Sequence, residues 1–137
     1  MPKLNGILET SLYVADVDRS ARFYESLFGF ARMFTDNRLC AMSILGNQVL
    51  LLFLRGASVE PVPLAGGVLP PHDGSGTTHL AFACTAGELQ QWEKRLSELE
   101  VPVESRVAWE RGGHSIYFRD PDENLIELAT PGIWPIY

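Results

Sequence analysis

The chain has 137 residues, 46% of them hydrophobic, with 17 acidic against 11 basic side chains and a formal net charge of -6. This composition suits one folded domain, or two small halves sharing a core, and excludes a disordered chain. The acidic balance offers no concentrated basic surface to nucleic acid or anionic lipid, and no apolar run has the length of a leader or a membrane span, so a cytoplasmic protein without those partners is expected.

Residues 7–14 alternate, with Leu8, Leu12 and Val14 on one face and Glu9, Ser11 and Tyr13 on the other, the two-residue period of a strand. Asp16 or Asp18 can cap a helix over residues 19–28, where Phe23, Leu27 and Phe28 recur at helical spacing and Gly29 supplies the stop. Strands are expected near residues 31–34, 39–45 and 49–54, the last two joined by a turn at Gly46. Residues 55–77 are rich in Gly and Pro and read as a long connection without packed elements.

The same order then returns. A strand is expected at residues 78–84 and a helix at 86–99 with Leu89, Trp92, Leu96 and Leu99 on its apolar stripe. Strands follow near residues 103–109, 115–118 and 125–129. The chain therefore reads as α+β, two tandem βαβββ modules at about residues 5–56 and 78–132, forming one domain over 1–137. A shift of 70 places Glu9 on His79, and a shift of 76 places Leu51 on Glu127. Cys40 and Cys84 form neither a CxxC pair nor a disulfide framework and read as reduced thiols in strands.

Strand parity gathers Glu9, His79 and Glu127 on one face, with Ala81, Ala83 and Ala129 leaving volume free beside them. Two carboxylates and an imidazole on such a face need compensation, because unpaired buried charge is costly. A divalent cation supplies it, and three protein ligands leave positions open for water or substrate. Taken singly, Glu127 could instead pair with Arg32 or Arg55, Glu9 could lie at an exposed strand end, and His79 could be a hydrogen-bonded core histidine.

The stretches LETSLYVADVDRSARFYESLFGF, THLAFAC and GGHSIYFRDPDENLIELATPG resemble the vicinal oxygen chelate superfamily, which includes glyoxalase I, extradiol dioxygenases and bleomycin-resistance proteins. The resemblance implies paired modules in a U-shaped mixed sheet around a cavity, with the helices outside. It also implies a divalent metal, one of Fe, Mn, Ni, Zn or Mg, held by Glu9, His79 and Glu127, and a homodimer in which Glu9 of one subunit joins His79 and Glu127 of the other. Tyr117, which shares its parity with Ser115, would then lie beside the metal and donate to an oxyanion; a strand tyrosine with its hydroxyl in water is the alternative.

Three positions depart from the family pattern: Glu9 stands where His or Gln is common, Leu51 where glyoxalase I has a ligand, and Glu123 where Gly is usual. The expected function is a metal-dependent dioxygenase or glyoxalase-like lyase or isomerase acting on a small oxygenated substrate, with Glu9 or Glu127 as the base. The competing reading is a metal-free, bleomycin-resistance-type binding protein. His72 and His114 carry little weight, Arg119 is expected to stabilise the DPD turn, and Trp109, Trp134 and Tyr137 are candidates for a pocket rim or a subunit contact.

Overall fold

The computed structural model describes residues 1–137 and divides them into two compact units, Met1–Gly76 and Thr77–Tyr137. The first contains β1 (Glu9–Val14), α1 (Val17–Phe28), β2 (Ala31–Thr35), β3 (Leu39–Ile44) and β4 (Gln48–Leu54), followed by β5 (Val62–Leu64) and β6 (Gly67–Leu69). The second contains β7 (His79–Ala83), α2 (Leu89–Glu98), β8 (Ser105–Ala108), β9 (His114–Arg119) and β10 (Leu125–Ala129).

Each unit builds one four-stranded sheet with the same plan. The orders are β1-β4-β3-β2 and β7-β10-β9-β8, with the first pair of each parallel and the rest antiparallel. The internal repeat extends to the register. Glu9 faces Val49 and Ser11 faces Leu51; at the equivalent places His79 faces Leu125 and Ala81 faces Glu127.

In the first unit Leu12 and Val14 of β1, Leu50 and Leu52 of β4, Met42 of β3 and Ala21, Tyr24 and Leu27 of α1 are buried, so one face of the sheet is sealed by the helix. Asp16 is the residue that caps α1, accepting the Arg19 N–H, and Gly29 ends it in the left-handed conformation. The helix starts at Val17, two residues before the apolar periodicity. Arg32 then ties β2 to α1 through Asp18 at 2.8 Å and Glu25 at 2.7 Å, and does not serve as a counter-ion for Glu127.

Several expectations are corrected. Ile7 and Leu8 lie outside β1 and are exposed, although the Leu8 carbonyl still accepts the Val49 N–H of β4 at 2.9 Å. The long connection contains the β5–β6 hairpin, whose turn sits between Leu64 and Gly67; Pro63 lies within the first three-residue strand and Gly67 opens the second. The helix of the second unit starts at Leu89 and not at residue 86, since Thr85 and Glu88 close the preceding turn, with the Thr85 hydroxyl 2.7 Å from the Glu88 carboxylate. On its apolar stripe only Leu96 is buried, and Leu99 is exposed. Cys40 is buried, whereas Cys84 is half-buried.

The DPDEN turn controls where β7 and β10 meet. Asp120 accepts from the backbone N–H groups of Asp122 and Asn124, Arg119 donates to the Glu123 carbonyl, and Glu123 takes the left-handed conformation at φ 65° that glycine usually fills. Asn124 Nδ2 donates to Asp120, which leaves its Oδ1 to accept both the backbone N–H and the hydroxyl of Thr78. The residue before His79 is thereby clamped to the start of β10. At the other end of β10, Gly132 has φ 105°, and a Cβ there would stand 2.5 Å from the Gly113 nitrogen.

Gly132→Ala is expected to lower stability by about 1–3 kcal/mol through backbone strain at that approach, whereas Gly66→Ala, whose Cβ would meet nothing within 4 Å, stays within about 0.5 kcal/mol of the parent. Urea unfolding of both variants checks this, and equal midpoints would refute it.

Candidate functional site

The second unit answers how a strand of apolar residues accommodates a carboxylate. On β10, Ile126 and Leu128 face the buried side with Ile116 and Phe118 of β9, while Glu127 points to the opposite side and is only 7% exposed. Its register neighbours are Tyr117 on β9 and Ala81 on β7. Ala81 is small and exposed, so it leaves open space over the carboxylate.

Oε1 of Glu127 is held by two hydroxyls. Ser115 Oγ donates at 2.5 Å and Tyr117 donates at 3.1 Å. Ser115 has one proton and gives it to Glu127, because its oxygen is already the acceptor for the Trp109 indole Nε1–H at 2.8 Å, a group that can only donate. Burial first, and the Glu127 charge second, raise the Tyr117 hydroxyl above its ordinary value of 10.0. Tyr117 therefore remains a donor at neutral pH.

Oε2 faces His79. The imidazole Nδ1 lies 2.9 Å from the Leu125 carbonyl, which can only accept, so Nδ1 carries the hydrogen. The other nitrogen, Nε2, stands 3.1 Å from Glu127 Oε2. In the neutral ring Nε2 has a lone pair, and a lone pair facing a carboxylate oxygen requires a cation between them: a proton, or a metal ion. At 3.1 Å the two atoms stand at hydrogen-bond distance, a few tenths of an ångström short of the roughly 3.4 Å between two tetrahedral ligands at about 2.0–2.2 Å from a zinc ion. A histidine that donates its other N–H to a backbone carbonyl is also the arrangement that orients metal-bound imidazoles.

His79 and Glu127 are thus brought together, with Tyr117 on the same carboxylate. Glu9 lies in the first unit, exposed at the start of β1 opposite Val49. Within neither unit do three His, Cys, Asp or Glu side chains gather as a metal cluster. Leu51, at the place equivalent to Glu127, leaves the first unit without a carboxylate there. His114 is exposed at the start of β9. Tyr137 donates its hydroxyl to the Cys84 and Ala129 carbonyls, closing the ends of β7 and β10.

Sequence reasoning missed Ser115 and Trp109 as partners of the carboxylate. The parity of residues 115, 117 and 127 carries the signal for Ser115. The indole contact depends on the turn between β8 and β9, where Trp109 N–H bonds the Gly113 carbonyl at 2.8 Å, and pattern alone does not reveal it.

Residues 6–128 match the family model of the Glyoxalase/Bleomycin resistance protein/Dioxygenase superfamily. Among curated proteins, Metallothiol transferase FosB of Bacillus licheniformis is 29% identical over 133 residues, 96% of this chain and 79% of the relative. FosB of Shouchella clausii is 28% identical over 93% of this chain and 81% of its own length. Among solved structures, lactoylglutathione lyase from Agrobacterium tumefaciens superposes with a TM-score of 0.88 at 31% identity, covering 98% of this chain and 99% of that one. No helix of the chain is long and apolar enough to cross a membrane.

Replacing Ser115 with Ala strands the buried Oε1 of one bond and the Trp109 indole of its acceptor, and is expected to cost about 1–3 kcal/mol. Ser115→Thr, which keeps the hydroxyl, restores most of it. Denaturant unfolding with Trp fluorescence as the readout checks this; an alanine variant as stable as the parent would show the chain of bonds to be idle.

Proposed function

The chain belongs to the Glyoxalase/Bleomycin resistance protein/Dioxygenase superfamily, and from that premise we propose that it is a metal-dependent enzyme joining or rearranging a thiol and a small oxygenated substrate. The observation that carries the reading is the Nε2 of His79 facing the Oε2 of Glu127 at 3.1 Å while each group's other polar atom is committed elsewhere. Glu9 is the third ligand in this reading. The names of the relatives support the thiol: metallothiol transferases in sequence and a lactoylglutathione lyase in structure.

The bound ion supplies Lewis acidity toward adjacent oxygens of the substrate. The chain's own residues do the rest. Ser115 and Tyr117 hold one oxygen of Glu127 and so present the other outward; the Leu125 carbonyl fixes the His79 ring, and the small side chains of Ala81 and Ala83 leave room for a substrate on the exposed face. In this reading Tyr117, kept protonated, turns its one O–H from Glu127 to a substrate oxygen that gains negative charge, while Ser115 keeps Oε1 bonded. Glu127 would be the base in this reading. The homodimer belongs to the same reading, with Glu9 of one subunit completing the set formed by His79 and Glu127 of the other.

Elemental analysis after loading apo protein with Zn, Mn or Ni and desalting is expected to give one ion per chain, lost in His79→Ala and Glu127→Ala. The loaded protein should consume a methylglyoxal–thiol adduct. Absence of uptake in the parent would leave the metal-free binding protein as the function.

A further inference from the structure

A second polar cluster lies wholly within the first unit, on the face of its sheet that α1 does not cover. Tyr13 of β1 and Phe53 of β4 are register partners with stacked rings 5.8 Å apart. The connection after β6 brings His72 onto them. Its ring meets that of Phe53 edge-on at 4.5 Å, and its Nδ1 lies 2.7 Å from the Tyr13 hydroxyl. Gly74 allows this seating, because a side chain there would strike the Tyr13 ring.

Arg38, just before β3, approaches the same place. Its guanidinium lies 5.7 Å from the centre of the Phe53 ring, and Nη1 donates to the hydroxyl of buried Ser58 at 3.0 Å. The Ser58 carbonyl in turn accepts the His72 N–H at 2.8 Å. Arg38 and His72 therefore share two neighbours, the Phe53 ring and Ser58.

Arg22, Arg32, Arg106 and Arg119 each pair with a carboxylate, whereas Arg38 bonds a neutral hydroxyl and an aromatic ring. The adjacent carboxylates are directed at the backbone: Asp36 accepts from the N–H groups of Arg38 and Leu39, and Asp73 from that of Gly56. A guanidinium has five N–H donors, of which one serves Ser58, and Tyr13 occupies only one nitrogen of His72.

We infer that Arg38 and His72, oriented by Ser58 and Tyr13, form a binding site for a small oxyanion, the carboxylate or phosphoryl group of a ligand. The fork of an arginine matches two oxygens of such a group, and an acidic chain of net charge -6 gives anions no general attraction, so binding here is local. Every residue of this site lies in the first unit, and its test needs no metal, so it stands or falls separately from the divalent-ion reading.

The experiment titrates metal-free full-length protein with inorganic phosphate and, separately, acetate, at constant ionic strength with chloride as the balancing anion, following the His72 ring and the Arg38 Nε–H by NMR. Saturable shifts at both residues are expected, with affinity reduced about tenfold or more in Arg38→Met and in His72→Phe, which keeps the ring packed on Phe53. Tighter phosphate binding assigns a phosphoryl ligand and tighter acetate binding a carboxylate. Should Arg38→Met be poorly folded, Arg38→Lys, which retains charge without the fork, must still weaken binding. Shifts that never saturate, or that are unchanged in folded Arg38 and His72 variants, overturn the inference.

Discussion

The second unit is organised around one buried carboxylate. Glu127 sits in the central region of a sheet where a charge is tolerated only with partners, and it obtains them from both neighbouring strands: Ser115 and Tyr117 from β9, His79 from β7. Removing any one partner exposes the same difficulty, because the strand that carries Glu127 also carries Ile126 and Leu128 into the core. The carboxylate is thus tied to the packing of the whole sheet. The Asn124 clamp on Thr78 and the close pass of Gly113 and Gly132 hold the strand ends that this register requires.

Much of this is legible in the sequence, for a physical reason. Strand side chains alternate, so parity puts 115 with 117 on one side of their strand, the family resemblance brings 117 to the site of 127, and the repeat by shifts of 70 and 76 reproduces the register pairs Glu9–Val49 and His79–Leu125. The bounds of α1 follow from Asp16 and Gly29, whose roles are local. What parity does not contain is the choice of partner. Nothing in the pattern tells whether Glu127 is met by Arg32, Arg55 or a hydroxyl; Arg32 is taken by two carboxylates that α1 carries to it. The β5–β6 hairpin and the seat of His72 escape for a similar reason, since prolines and glycines mark where a chain turns without fixing what it lands on.

The two units carry complementary chemistry on equivalent frames. At the place where the second unit has Glu127, the first has Leu51, and its polar groups are instead Tyr13, His72 and Arg38. One unit sets a carboxylate beside an imidazole; the other brings a guanidinium and an imidazole to the same aromatic ring. The repeat changes side chains while keeping the strand order.

The central claim is that Nε2 of His79 and Oε2 of Glu127 share one cation. Crystals of the protein soaked in Zn and measured across the zinc absorption edge test it directly. The account requires an anomalous peak at about 2.0–2.2 Å from both atoms, with His79 Nδ1 still on the Leu125 carbonyl. Zinc bound elsewhere, with His79 and Glu127 remaining in direct contact, would contradict it.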